Sequence, residues 1–215
     1  MNLYYRIQSY LRLPIPIILK KYLKKYYGKN ELDRKLKPYL NYNNGFFIEI
    51  GAYDGITQSN TYFYEKNKNW KGILIEPSKA NFDKCKLYRS KKNFFYNCAC
   101  VSFKFKKNFL KLDYLGLKTF SSIFLNKKNR KEYARNPETY LGEKKYSYYA
   151  KVTTMNDLLL KSNSPKIIDF LSLDTEGAEF EVLNGIDFNN FKFRYLLVES
   201  NDFIKLKKFM IFRNY

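Results

Sequence analysis

The apolar positions of this chain fall in short, dense runs, not along one helical stripe. Phe46-Phe47-Ile48-Glu49-Ile50, Gly72-Ile73-Leu74-Ile75, the stretch 167–173 and Tyr195-Leu196-Leu197-Val198 are nearly continuous. A parallel strand covered on both faces shows such a run, whereas a half-exposed strand alternates. The pattern therefore predicts strands at these four places. A further strand is predicted over 93–102, which is rich in Phe, Tyr, Cys and Val.

The intervening segments read as helices. One is short and spans 30–40, and Asn43-Asn44-Gly45 turns the chain into the first strand. Others span about 59–67, 79–89 behind a Ser78 cap, and 153–160 with Thr154 or Asn156 at its start. A last one runs from Ala178 through Val182 and Leu183 to Gly185, a suitable C-terminal stop. Strands alternating with helices give one α/β domain on a mostly parallel sheet with helices on both faces.

Two regions depart from this rhythm. Phe103, Phe105 and Phe109 alternate with lysines like an exposed hairpin or an irregular insertion, and 126–145 is a charged, Tyr-rich loop or helix. Residues 1–43 form a basic, aromatic lead-in, with Pro14 and Pro16 interrupting the apolar stretch 11–19. That stretch is too short to span a bilayer. It reads as a helical lead-in packing on the domain, with peripheral membrane contact by an interfacial helix as the alternative. The domain proper covers 44–201, and 202–215 reads as a short tail. About sixteen residues after the fifth strand cannot supply a helix and two more full strands. The expectation is a sheet without a terminal antiparallel pair, through truncation or brevity.

Composition narrows the chemistry. The 215 residues carry 40 Lys+Arg against 20 Asp+Glu, a formal charge of +20. That balance would attract nucleic acid, anionic membranes or acidic substrates, although an A/T-rich genome inflates lysine without selecting any partner. The absence of histidine excludes His-dependent triads and histidine metal sites. Cys85, Cys98 and Cys100 lack CxxC spacing and read as free thiols of a reducing cytoplasm.

The acids provide the sharpest signal. Glu49, Glu76, Asp174 and Glu199 each lie in or directly after an apolar run. In open parallel sheets ligands bind beyond the carboxyl ends of the strands, at a switch point, so these four carboxylates converge on one crevice. Gly51 and Gly55 bracket the turn after the first strand and allow close backbone approach. Glu76 follows Gly51 at about the spacing at which an acid meets ribose hydroxyls. Asp54 stands where a pyrophosphate would sit, and the turn lacks the GxGxxG spacing. The ligand expected is cationic there and free of phosphate, which describes S-adenosylmethionine.

Four linked stretches then resemble the motif series of FkbM-type methyltransferases. They are Phe47-Ile-Glu-Ile-Gly-Ala-Tyr-Asp-Gly55, Ser59-Asn60-Thr61, Trp70-Lys-Gly-Ile-Leu-Ile-Glu-Pro77 and Asp169-Phe-Leu-Ser-Leu-Asp-Thr-Glu-Gly-Ala-Glu179. The resemblance covers about residues 44–201. It implies a class I Rossmann-like methyltransferase fold and O-methyl transfer from S-adenosylmethionine, onto a small-molecule or glycan acceptor such as a sugar. It places Glu49, Gly51, Asp54 and Gly55 along the methionine side, Ser59 at the cofactor carboxylate and Glu76 at the ribose. Asn97 would lie near the adenine, and Asp174 and Glu176 would face the methyl and the acceptor, with Glu199 assisting. Asp174 would serve as base or hold a divalent metal. Plain helix-start acids are the alternative for Glu176 and Glu179. Two other functions stay open: a nucleic-acid methyltransferase using the basic surface, and an inactive binding module on the same fold.

Overall fold

The computed structural model describes residues 25–115, 118–125, 146–200 and 202–215. The apolar stretch 11–19 and the loop 126–145 lie outside the described residues, as do the lysines of the basic cluster before Lys25.

The dense apolar runs form one parallel sheet. Strand β1 (Phe46–Ile50) is buried at all five positions and pairs on one side with β2 (Lys71–Ile75) and on the other with β8 (Ile167–Leu173). Strand β3 (Phe94–Tyr96) extends the sheet beyond β2, and β9 (Lys192–Val198) beyond β8, giving the order β3-β2-β1-β8-β9. The chain builds outward from β1, then returns to its other side at β8. The carboxyl ends of β1 and β8 therefore form a switch point, where an open parallel sheet leaves a crevice.

Alternating side chains of β1 feed two cores, as the strand's two-residue period requires. Phe46, Ile48 and Ile50 pack with Met155, Leu158 and Leu159 of helix α5 (Met155–Lys161). Phe47 packs on the other face with Tyr27, Leu40, Phe63, Tyr64, Trp70 and Cys85. These belong to the lead-in, helix α3 (Tyr62–Lys68), the loop after it and helix α4 (Lys79–Tyr88). The short helix expected over 30–40 is broken into a 3-10 turn, Lys29–Glu31, and two single turns, α1 (Leu32–Lys35) and α2 (Lys37–Leu40). It is tied down by buried Asp33, whose carboxylate accepts from Tyr27 N at 2.6 Å and whose carbonyl accepts from Tyr64 Oη at 2.6 Å.

The single strand expected over 93–102 is two strands in different sheets. After β3 the chain changes course at Asn97 and Cys98 and enters β4 (Ala99–Val101), which belongs to a second sheet of order β4-β7-β5-β6. There β7 (Tyr146–Thr154) runs parallel to β4 and antiparallel to β5 (Phe109–Leu115), and β5 pairs with β6 (Lys118–Phe120). Leu110, Leu112 and Tyr114 are buried on β5 while Phe109 and Lys111 are exposed. This half-buried alternation accounts for the hairpin expectation at its second half.

The helix boundaries agree unevenly with the pattern. Thr154 caps α5, accepting from Asp157 N at 3.1 Å. Helix α6 (Glu179–Leu183) ends near Gly185, but the glycine serves close packing. A Cβ there would lie 2.2 Å from the Val101 carbonyl oxygen. Residues 202–215, set apart as a tail, fold as helix α7 (Phe203–Ile211), whose Leu206, Phe209 and Met210 pack against the first core. Among the described residues no strand follows β9, and no helix is long and apolar enough to cross a membrane.

Candidate active site

A cavity opens at the carboxyl ends of the parallel strands and is walled on its far side by the second sheet. Glu49 and Gly51 of the β1 end, Glu76 after β2, Asp174 and Glu176 after β8, and Glu199 after β9 all line it. Leu110, Leu112 and Phe124 form the opposite, apolar wall. The strand-end acids expected to converge do share one cavity.

Backbone geometry brings the β1 and β8 ends together. Gly51 has φ +84°, and a Cβ there would lie 2.1 Å from the Asp174 carbonyl oxygen. Only glycine allows that approach. Three non-glycine residues on the rim also hold left-handed φ: Tyr53 at 48°, Gln58 at 59° and Glu176 at 52°. Such conformations cost energy and persist where the surroundings impose them, commonly at ligand sites.

The acids differ sharply in their surroundings. Glu49 is buried and paired with a cation. It accepts from Asn60 N and the Ser59 hydroxyl, both at 2.9 Å, and from the Thr61 hydroxyl at 2.6 Å. Its Oε2 also pairs with Arg89 Nη1 at 3.0 Å. Glu76 is buried and has no cation partner among the described residues. Its two oxygens accept from Tyr53 N at 2.9 Å and Ser78 N at 2.8 Å. Burial outweighs those two hydrogen bonds and pushes its carboxyl up to about 7. One lone pair on each oxygen remains for a cis-diol.

Asp174, Glu176 and Glu199 form the open cluster, each offering an oxygen within 4.8 Å of the others. Asp174 is exposed by surface area at the cavity mouth, although protein atoms surround it more widely. Desolvation first, then hydrogen bonding and like-charge repulsion from Glu199, pushes its carboxyl up to about 9. Three carboxylates so placed can hold a proton between them, an organic cation or a divalent metal ion. Glu179 is used differently: its Oε1 accepts from Thr175 N and Gly177 N, fixing the loop that carries the cluster.

Of the predicted site residues, Glu49, Gly51, Ser59, Glu76, Asp174, Glu176 and Glu199 line the cavity. Asp54, Gly55 and Asn97 stand behind its wall. Asp54 accepts from Ile56 N, Thr57 N and the Thr57 hydroxyl, so it shapes the turn. Asn97 Nδ2 donates to the carbonyls of Glu76 and Pro77, fixing the segment that presents Glu76. Gly55, at φ +82°, leaves room for the Arg89 side chain, which a Cβ would approach to 2.7 Å. Sequence reasoning missed Arg89 itself and the wall given by the second sheet. The one available signal for Arg89 was its identity, since lysine supplies most of the basic residues in this chain.

Comparison with known proteins agrees with this geometry. Residues 49–213 match the family model of the methyltransferase FkbM domain, a span that includes every candidate site residue and α7. No curated protein and no solved structure matches the chain. With the match covering about three quarters of the sequence, the chain belongs to the FkbM methyltransferase family.

Proposed function

We propose that this protein is an S-adenosylmethionine-dependent O-methyltransferase acting on a hydroxyl of a sugar or glycan. The observation that carries this reading is the meeting of Asp174, Glu176 and Glu199 within 4.8 Å in the cavity that also holds Glu76. A chain of net charge +20 has gathered Glu76, Asp174, Glu176 and Glu199 around one cavity, beside the arginine-paired Glu49 and against Lys29 and Lys118 as the lining cations among the described residues. That imbalance suits a ligand carrying a sulfonium and an ammonium and lacking phosphate.

The cofactor, when bound, supplies an electrophilic methyl group. The chain's own residues do the rest. Glu76 would receive the ribose diol on its two remaining lone pairs. In its deprotonated form Asp174 would accept the acceptor's hydroxyl proton as the methyl passes from the sulfonium sulfur to the acceptor oxygen, with Glu199 beside it keeping its proton affinity high. Glu176 and Glu199 surround the acceptor oxygen or join Asp174 in holding a divalent ion that acidifies it. Placement in a reducing cytoplasm accords with three buried free thiols. The nucleic-acid alternative draws on the net charge, but the acidic cavity would repel a polyanion brought to it.

The test is titration calorimetry with S-adenosylmethionine and S-adenosylhomocysteine, followed by radiolabelled methyl transfer to a panel of monosaccharides and glycans. Binding with transfer to a hydroxyl is expected. No heat with either nucleoside defeats the reading, and salt-sensitive transfer to RNA or DNA would move it to the nucleic-acid class.

A further inference from the structure

Arg89, immediately after α4, belongs to none of the motif stretches and does not line the cavity. Its side chain is nonetheless completely buried. Nε donates to Glu65 at 2.9 Å, Nη1 to Glu49 and to the Gly55 carbonyl at 3.0 Å each, and Nη2 to the Thr61 hydroxyl at 2.8 Å. Nη1 also lies 3.3 Å from the Ser59 hydroxyl. The guanidinium is sandwiched between the rings of Phe47 and Tyr62, at 5.2 and 5.3 Å. Glu65 receives Ser90 N and Asn93 Nδ2, and Asn93 Oδ1 in turn accepts from Gly72 N of β2.

These contacts share one geometry. Every partner on the Glu49 side lies in the segment from the β1 end to the start of α3, the loop that carries Gly51, Gln58, Ser59 and Asn60 into the cavity. Arg89 grips that loop at Gly55, Ser59 and Thr61 and grips the strand end at Glu49. It anchors the assembly to α3 through Glu65. We propose that Arg89 is a positioning residue that sets the β1–α3 loop at the methionine end of the ligand. Glu49, neutralised by Arg89, thereby acts as a fixed acceptor for loop groups and not as the ligand's counter-charge. The proposal rests on the cofactor assignment made above.

A guanidinium suits the task because its planar fork reaches partners in several directions at once, which an ammonium on a flexible stem cannot do. A purely electrostatic role would be rescued by lysine, whereas a fork would not.

The experiment compares wild type with Arg89→Lys, Arg89→Met and Glu65→Gln, each checked for a cooperative melt. Hydrogen–deuterium exchange reads residues 51–61 directly, without ligand. Calorimetry reads affinity for S-adenosylhomocysteine and for adenosine, which lacks the methionine end. Expected are faster exchange in 51–61 with β7 and α5 unchanged, and roughly ten-fold or greater loss of affinity for S-adenosylhomocysteine. Adenosine affinity should move less than two-fold in Arg89→Lys. Where Arg89→Met fails to fold, Arg89→Lys and Glu65→Gln decide the matter by the same readouts. Unchanged exchange in 51–61 overturns the proposal, as does an equal loss for both ligands. Wild type binding neither nucleoside defeats the cofactor assignment instead, and the exchange data still judge the loop.

Discussion

Glu49 and Asp174 end neighbouring strands of one sheet, line one cavity, and have opposite fates. Glu49 is enclosed by four donors, one of them a buried arginine. Asp174 faces two further carboxylates, and its own carboxyl is pushed up to about 9. The difference lies in what the next helix delivers. The helix after β2 ends with Arg89 under the β1 loop, while the loop after β8 brings Glu176 and points Glu179 back at its own amides. A carboxylate paired with a buried arginine is a structural joint, whereas a carboxylate crowded by others can take up a proton or a cation.

Breaking the joint should have the largest effect. Arg89→Met would leave Glu49 and Glu65 buried without their cation, a change that typically costs about 3–5 kcal/mol. For a chain of this length that lowers the melting temperature by roughly 10 °C. Glu49→Gln in the same background should recover part of the loss, because the uncompensated charge is then gone. Strictly additive melting shifts for the two substitutions would show that the pair is not coupled.

Neutralising the open cluster should do the reverse. Asp174→Asn is expected to lower methyl transfer by about 10²- to 10⁴-fold, the range lost with a positioned proton acceptor. It should also raise the melting temperature of the ligand-free protein, since one of three crowded carboxylates is removed. Paired measurements of turnover and melting check this. A variant that transfers methyl normally, or melts lower, would place Asp174 with Glu49 among the joints.

Glu76 lies between the two extremes, with two amide donors and no cation among the described residues. Its carboxyl sits near 7 in the folded protein, above the ordinary value of 4.5 for a glutamate. A raised carboxyl favours the folded state while protonated, and that contribution is lost as pH rises from about 4.5 through about 7. Wild type should therefore lose stability relative to Glu76→Gln across that window, by up to about 1.4 kcal/mol per pH unit. Melting curves of both proteins from pH 4.5 to 8 test it. A difference that is flat with pH would mean that Glu76 is already charged when buried.

How far the sequence shows these distinctions depends on the kind of interaction. Strands β1, β2 and β8 are legible because burial on both faces leaves apolar runs that need no partner to recognise, and the edge strand β9 keeps such a run at 195–198 although only its Phe193 is buried. The terminal acids are legible because a charged residue closing such a run must emerge at the sheet end. The second sheet is obscure: Ala99–Val101 pairs with Val152–Thr154 some fifty residues away, and β5 carries lysine on its exposed side. In sequence Arg89 is indistinguishable from a surface base at a helix end. Its burial follows from Gly55, Phe47, Tyr62, Glu49 and Glu65 meeting in space, which no local pattern encodes. Asp54 and Asn97 look like ligand groups in sequence because turn-shaping and ligand-binding residues draw on the same polar types.

The smallest expected effect separates the two occupants that the open cluster could take. Three carboxylate oxygens within 4.8 Å suit a hard divalent ion as well as an organic cation. If magnesium or manganese binds there, the ion at ten times its dissociation constant stabilises the fold by about 1.4 kcal/mol. That is a rise of about 3–5 °C in melting temperature. The rise should vanish in Asp174→Asn and in Glu199→Gln, and persist in Arg89→Lys, whose substitution lies at the joint. Chelator should then abolish methyl transfer without weakening S-adenosylhomocysteine binding. Turnover indifferent to chelator, with no metal-dependent melting shift, leaves the cluster to the acceptor's proton alone and makes Asp174 the base. The comparison with Glu49 survives either result, since both require a carboxylate that has no partner cation among the described residues.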